Sequence, residues 1–383
     1  MPNQLRRLIF GAPKDVHDEH VFHKLSLVAM LAWVGLGADG LSSSAYGPDE
    51  AFRQLVKDGT EHASLAIGLA IGTALTVFII SYAYSRIIEA FPSGGGGYVV
   101  ATKLLGPRFG LVSGSALLVD YVLTITISIA AGGDALFSLI PRRWIEDTPL
   151  PTEAIGSWLD PVQRTKVTLE IGAIVILTVL NVRGVKESVS SIVPLFLAFV
   201  MTHALLLIVA IGGSLGQLGN VMNETARGYH LTFVSLGSIG TLALFVRAYS
   251  LGGGTYTGIE AVSNGIQIMR EPKVRTAKRT MILMATSLAI TAGGLILCYL
   301  LVHVMPVAGK TMNGILAARV AGAWNIGGVG VGYWFVLATL ASEAGLLFVG
   351  AQAGFVDGPR VMANMAVDSW MPHRFAALSE RLS

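Results

Sequence analysis

Charged residues are scarce in this chain. Only 13% of its 383 residues are Asp, Glu, Lys or Arg, which is about half the fraction found in soluble domains. Hydrophobic residues make up 53% of the chain, and its mean hydropathy is +0.64. This composition excludes an ordinary soluble domain and predicts an all-α protein that crosses the membrane several times.

Cysteine and the motifs of catalysis are also lacking. The one cysteine, Cys298, lies in an apolar run, so no internal disulfide can form. No metal-ligand cluster, nucleophile triad or nucleotide-binding loop stands out, and the glycine run 94–97 is not followed by the Lys-Ser/Thr pair of a phosphate loop. We therefore expect no enzyme, no bound cofactor and no nucleic-acid partner.

Hydrophobic stretches of about 20 residues predict membrane-spanning helices. We identify eight, at roughly residues 25–55, 63–88, 109–133, 168–182, 188–212, 235–266, 281–305 and 328–355. If the N-terminus lies in the cytoplasm, 17 of the 27 lysines and arginines fall in inside segments and nine in outside segments. This excess favours a cytoplasmic N-terminus, and eight spans then return the C-terminus to the same side.

The first and sixth spans are interrupted by small and polar residues. The first interruption is A-W-V-G-L-G-A-D-G-L-S-S-S-A-Y-G-P-D-E at 32–50, and the second is R-A-Y-S-L-G-G-G-T-Y-T-G-I-E at 247–260. An unwound helix at bilayer depth survives only where it lines a cavity or a binding site, and paired interruptions in the two halves of a transporter indicate its substrate site. The backbone that we expect to be unwound includes Gly40, Ser42, Gly253 and Gly254.

Broken spans that lie five spans apart match a five-plus-five inverted repeat. This arrangement predicts a cytoplasmic N-terminal segment at 1–24, a first repeat at 25–212, a partial second repeat at 213–355 and a cytoplasmic amphipathic segment at 356–383. The chain ends after what would be the third span of the second repeat. We therefore expect a truncated fragment.

The first interruption carries Asp39 and Tyr46. Free backbone carbonyls, a carboxylate and hydroxyl groups together form an oxygen-rich cage that suits a hard cation. An ionisable residue at membrane depth also indicates a functional site. The alternative is that Asp39 caps the second half-helix, and the two roles are compatible.

Asp120, Thr124 and Ser128 form a polar stripe on the third span. Their spacing of i, i+4 and i+8 places them on one face of a helix. Threonine and serine alone could be satisfied by bonding to a preceding carbonyl of their own helix. The aspartate favours a binding or pathway role, because a charge in the membrane rarely faces lipid.

Thr257 and Glu260 follow the glycine run of the second interruption, and their spacing places them on one face of a helix. Glu260 is the candidate proton-carrying group, because a proton and a bound cation would oppose each other at one carboxylate. The alternative is a helix-start glutamate that satisfies local amides. For His203 a hydrogen-bonded packing role is favoured over a proton relay, and Arg247 and Glu343 could pair with each other.

The chain resembles the amino acid–polyamine–organocation (APC) superfamily, which has the LeuT-type fold. The resemblance is carried by the two broken spans, by F-P-S-G-G-G-G-Y at 91–98 and by D-G-P-R-V-M-A-N-M-A at 357–366. Within the superfamily, A-D-G-L-S-S-S-A-Y-G-P-D-E at 38–50 and G-T-Y-T-G-I-E-A-V-S-N-G at 254–265 are most similar to KUP-type potassium uptake permeases of the KimA kind.

The resemblance implies potassium–proton symport across the bacterial cytoplasmic membrane. It assigns proton coupling to Glu260 and potassium binding to Asp39, Tyr46, Asp120, Thr124, Ser128 and Thr257. It also implies later spans and a cytosolic domain through which the full-length protein dimerises. The partners expected are therefore membrane lipid, potassium, protons and a second copy of the protein.

Two other functions stay open. A proton-coupled amino acid or polyamine permease of the same fold is the main rival, although Asp39 at the unwound backbone would repel a substrate carboxylate. Broken helices also occur in channels, which do not couple transport to protons. Saturation and dependence on a pH gradient would distinguish a coupled carrier from a channel.

Overall fold

The computed structural model describes residues 27–92, 94, 96–141, 144, 159–182, 189–325 and 327–376. This part of the chain is almost entirely helical, and its one isolated bridge joins Leu27 to Met269. The predicted N-terminal segment 1–24 and the last residues of the predicted C-terminal segment, 377–383, lie outside the described residues.

The described residues form twelve α-helices, several of them joined by short 3₁₀ segments. In chain order they are α1 (Ala29–Ser42), α2 (Gly47–Val56), α3 (Ala66–Ala90), α4 (Gly96–Leu105), α5 (Pro107–Phe137), α6 (Pro161–Val182), α7 (Val189–Ser214), α8 (Leu218–Leu251), α9 (Ala261–Asn264), α10 (Lys273–Leu301), α11 (Met312–Ala321) and α12 (Val331–Val367).

Six helical stretches in the described residues are long and apolar enough to cross a membrane. They are Thr60–Ala90, Pro107–Phe137, Pro161–Val182, Ile192–Asn264, Lys273–Leu301 and Val331–Val367. The sequence predicted eight spans, and the difference arises at the broken ones. The first span is divided between α1 and α2, each too short to cross alone, and the fifth and sixth both fall within Ile192–Asn264.

The outer helices expose apolar side chains, as a lipid environment requires. On α3, Ile71, Phe78 and Ile79 are exposed, whereas Leu69 and Val77 are buried against neighbouring helices. At the centre, α10 packs against α1, α3 and α7, and its buried side chains fill the space between them. The architecture is that of a multi-pass helical membrane protein.

Two helices depart from their predicted bounds. The sixth span was expected to begin at residue 235, but α8 begins at Leu218 and contains a non-helical residue, Gly237, with φ of 65°. The eighth span was expected to end at residue 355, but α12 continues to Val367 with Pro359 inside it. This longer α12 packs along α5, where a Cβ on Gly354 would lie 2.7 Å from Cγ1 of Ile125.

Candidate substrate site

The first break begins where α1 changes into a 3₁₀ segment, Ser43–Ala45, before α2 starts at Gly47. The side chains of Ser42, Ser43 and Ser44 donate to the carbonyls three residues earlier, at 2.6–2.7 Å. These bonds satisfy carbonyls that the end of a helix leaves without partners. Gly40 and Ser42, which were expected in the unwound segment, lie within α1, and the helical geometry changes only at Ser43.

The second break is more extended than the first. After α8 ends, Gly252–Tyr256 forms a 3₁₀ segment, Thr257 is extended, and Gly258 has φ of 81°. Gly253 and Gly254 thus lie in the 3₁₀ segment. Helix α9 begins only at Ala261, so the expectation that Thr257 and Glu260 share a helix face is wrong. A turn that needs a positive φ at Gly258 joins them instead.

Hydroxyl groups join the two breaks directly. Ser43 Oγ lies 2.7 Å from the carbonyl oxygen of Thr255, and its one hydrogen is shared between this carbonyl and that of Gly40. The hydroxyl oxygens of Tyr46 and Thr257 are 2.9 Å apart, and the carbonyl oxygen of Gly254 lies 3.3 Å and 2.9 Å from them. The two hydroxyl hydrogens are shared among these three contacts. Three hydroxyls and the carbonyls they contact therefore meet where both helices are broken.

Asp39 lies against the second break because a glycine stands opposite it. A Cβ on Gly258 would come within 2.6 Å of the Gly40 nitrogen and 2.7 Å of the Asp39 carboxyl carbon. From the other side, a Cβ on Gly350 of α12 would lie 2.5 Å from Ser42 Oγ and 3.5 Å from Asp39 Oδ1. The Asp39 side chain is 9% exposed. Its carboxylate is thus enclosed between α1, α12 and the turn at Gly258.

Several carboxylates surround the breaks. The charge of Asp39 acts on Glu260, Asp120 and Asp357, and that of Glu260 acts on Asp120 and Asp357. Glu260 is 9% exposed. Within the described residues no cluster of three or more His, Cys, Asp or Glu side chains is close enough to hold a metal ion by itself. A cation here would therefore depend on hydroxyl and carbonyl oxygens as well.

Asp357 is a residue that the sequence analysis missed. It was placed in a cytoplasmic segment, but the continuous α12 carries it to the carboxylate group. It pairs with Arg360 at 3.1 Å, and its side chain is 13% exposed while that of Arg360 is 54% exposed. Asn264 lies near Asp357 and donates to the hydroxyl of Tyr121 on α5 at 3.4 Å. The available signal was an Asp and an Arg spaced i, i+3 in the helical continuation of the eighth span.

The polar stripe of Asp120, Thr124 and Ser128 on α5 faces the protein interior only in part. Thr124 and Ser128 are buried, and Asp120 is half-buried, whereas the neighbouring Val122 and Leu123 are exposed. In the described part of the chain none of the three stripe side chains hydrogen-bonds to the breaks. Asp120 interacts with Asp39 and Glu260 at the breaks through its charge alone.

Two comparisons place this chain among known proteins. A sequence profile of the amino acid permease family matches residues 48–383. The chain belongs to that family. The superfamily predicted from the broken spans and glycine motifs is thereby confirmed, and membership of a permease family agrees with the prediction that the chain is not an enzyme.

One curated relative of this chain is the potassium transporter KimA of Bacillus subtilis (strain 168). It is 30% identical over an alignment of 388 positions, which covers 100% of this chain and 57% of the relative. The chain therefore spans 57% of the length of that relative. Transport of potassium is a property of KimA, and its extension to this chain is a proposal.

Proposed function

We propose that this permease imports potassium by symport with protons and that the ion binds between the two breaks. The observation that carries the proposal is the contact of Tyr46 with Thr257 at 2.9 Å, beside the enclosed Asp39 carboxylate. Potassium is a hard cation, and carboxylate, hydroxyl and carbonyl oxygens are the ligands that such ions prefer. The similarity to KimA supports the same ion.

The charges around the breaks favour a cation over an anion. Asp39, Asp120, Glu260 and Asp357 interact there, and Arg360 offsets only one of them. In this proposal Asp39, Tyr46 and Thr257 bind the ion, while Asp120, Thr124 and Ser128 complete the pathway along α5. A substrate with a free carboxylate would meet like charge at Asp39.

Glu260 is proposed to couple the proton. It lies at the end of the turn that begins at Thr257, so its charge acts at the same break as the ion. A bound cation favours the ionised carboxylate, and a proton removes that charge. Symport requires the proton and the ion to cross together, so Glu260 is proposed to carry its proton inward with the bound ion and to release it on the cytoplasmic side, where the proton concentration is lower.

We also propose the five-plus-five inverted repeat and a cytoplasmic N-terminus in the bacterial cytoplasmic membrane. The contact between the two breaks supports the repeat, because it brings together the first and sixth of the predicted spans. The lysine and arginine distribution supports the orientation. Dimerisation of the full-length protein is likewise a proposal, drawn from the family resemblance.

The rival function is proton-coupled transport of an amino acid or a polyamine, which the name of the matching family favours. Half-helix termini at broken spans can bind a substrate carboxylate. The carboxylates around this break oppose that mode, so a polyamine is the stronger form of the rival.

Growth of a potassium-uptake-deficient bacterium at low external potassium tests the proposal. The full-length gene product should rescue growth, and Asp39→Asn and Asp120→Asn should abolish the rescue. Asp134→Asn is the matched control, because that carboxylate lies at the end of α5, is 51% exposed, and among the described residues forms an ion pair with Lys166 alone. Rescue that survives Asp39→Asn, or uptake of a labelled polyamine in place of potassium, would contradict the proposal.

A further inference from the structure

A second group of buried polar side chains lies away from the substrate site, between α7, α10, α11 and α12. His203 of α7 and Glu343 of α12 face each other, with 3.5 Å between Nε2 and Oε2, and each side chain is 1% exposed. Asn313 of α11 and Tyr299 of α10 complete the group and are fully buried. Arg247, the other partner considered for Glu343, is exposed on α8.

The hydrogen bonds of His203 require an extra proton in this group. Nδ1 lies 2.9 Å from the carbonyl oxygen of Phe199, and a carbonyl only accepts, so Nδ1 carries the proton of a neutral ring. The nearby Thr202 hydroxyl donates to the carbonyl of Ala198 at 2.8 Å. Nε2 would then be an acceptor that faces a carboxylate, another acceptor. The two atoms attract only if one more proton lies on the imidazole or on the carboxyl group.

The other charged groups near the pair do not supply the positive charge or the proton that the pair needs. Asp49 of α2 acts on Glu343 with a charge of the same sign. Arg53, one turn further along α2, forms an ion pair with Asp49 and donates to the carbonyl of Lys310 at 2.7 Å. Tyr299 donates its hydroxyl hydrogen to Asn313 at 2.5 Å. The proton therefore has to be held by His203 and Glu343 themselves.

Asn313 connects the pair to the first break. Its side-chain nitrogen donates to Glu343 Oε2 at 3.2 Å and to the carbonyl of Ala45 at 3.4 Å. Ala45 is the last residue of the 3₁₀ segment and directly precedes Tyr46. The start of α11 is also fixed by Asp49, which accepts from the Met312 nitrogen at 2.8 Å. A change at Glu343 thus reaches both α11 and the substrate site through one side chain.

We propose that His203 and Glu343 form a proton-binding site, separate from the role assigned to Glu260, whose proton holds α11 against the first break. Loss of the proton leaves a buried carboxylate facing a lone pair, and an uncompensated buried charge is strongly unfavourable. Movement of α11 away from the pair, or entry of water, relieves this unfavourable burial of charge. Deprotonation therefore loosens the contact between α11 and Ala45, whichever substrate is transported.

Hydrogen–deuterium exchange of the purified full chain without potassium tests this site. Protection of residues 312–321, corrected for the chemical exchange rate, should fall about tenfold from mildly acidic to mildly alkaline pH, the size of a typical coupling between linked sites. In Glu343→Gln the protection should not depend on pH. The glutamine side chain keeps the size of the glutamate and has no proton to lose, so it removes the titration of the carboxyl group; because His203 and Asn313 both contact the same oxygen, its amide satisfies one of these two contacts.

His62→Gln is the matched control. His62 is also buried and bonded through Nδ1, to Thr232 Oγ1 at 2.9 Å, but the carboxylate nearest its Nε2, on Glu61, is 37% exposed. This variant should keep the pH response of the unaltered chain. A pH-independent protection in the unaltered chain overturns the proposal without any variant, and so does an unaltered response in Glu343→Gln. Because the measurement uses no potassium, neither result bears on the proposed substrate.

Discussion

The hydroxyl groups at the two breaks differ in their hydrogen-bond partners. Within the part of the chain that the structure describes, those of Ser42 and Ser44 bond only to carbonyls three residues earlier. Ser43, Tyr46 and Thr257 reach across from one break to the other. A hydroxyl that bridges the breaks is available to an ion when the bridge opens, whereas one that satisfies its own helix is part of the scaffold. This difference separates candidate ligands from structural residues of the same type.

Thr257→Val tests the bridging group. The change keeps the shape of the side chain but removes the hydroxyl that contacts Tyr46 and donates to Gly254. We expect the potassium concentration for half-maximal uptake to rise about tenfold, equivalent to about 1.4 kcal/mol of binding free energy. Uptake of labelled rubidium into vesicles measures this half-maximal concentration.

Thr126→Val controls for loss of a threonine hydroxyl in general. Thr126 is exposed on α5, and its hydroxyl bonds, among the residues described, to the carbonyls of Val122 and Leu123 alone. Its uptake curve should match that of the unaltered protein. An equal shift in both variants would show that Thr257 is not an ion ligand.

Glu260→Gln separates ion binding from coupling. The glutamine keeps the size of the side chain and removes the titrating group, so potassium binding should largely survive while acceleration by an inward proton gradient is lost. Uptake into vesicles with and without the gradient gives the result. Glu224→Gln, at a 59% exposed position beside His303, should respond to the gradient normally. If Glu260→Gln still follows the gradient, the coupling group lies elsewhere.

At the scale of helices and breaks, local sequence was sufficient to place the interruptions but not their limits. Small and polar runs cannot supply the packing of a continuous apolar helix, so both breaks were predictable. The helix continues through Gly40 to Ser42, and three serines bond backward to carbonyls at its end. One of these serines, Ser43, also contacts the carbonyl of Thr255, more than 200 positions later in the chain. No local pattern contains that partner.

Gly258→Ala tests how closely the two breaks must approach. The residue has φ of 81°, which costs a non-glycine residue roughly 1–2 kcal/mol. The added Cβ would also meet the backbone of Gly40 at 2.6 Å, and overpacking typically costs about 1–3 kcal/mol. We expect a lower unfolding temperature in detergent and a loss of uptake.

Gly253→Ala is the control in the same break. A Cβ there meets no atom within 4 Å, so the unfolding temperature should change little, as for most unconstrained substitutions of about 0.5 kcal/mol or less. If the two variants unfold at the same temperature, the close contact between Gly258 and Asp39 is not needed for the fold.

At the scale of the whole molecule, the interacting carboxylates come from distant parts of the chain. Asp39 is on α1, Asp120 on α5, Glu260 precedes α9, and Asp357 is on α12. The first three stood out in the sequence because each lies in a predicted span. Asp357 and the pairing of His203 with Glu343 depend on which helices pack together, and hydrophobic periodicity does not specify that.

The orientation of the molecule can be tested by labelling introduced cysteines, because the cysteine it already has is inaccessible. Cys298 is buried, so a membrane-impermeant maleimide should not label the unaltered protein. The lysine and arginine count places Lys57 outside and Arg275 inside, and both side chains are exposed. Lys57→Cys should therefore be labelled on intact cells, and Arg275→Cys only after the cells are permeabilised. The opposite pattern would place the N-terminus outside and would reverse the direction in which protons and potassium must enter the two breaks.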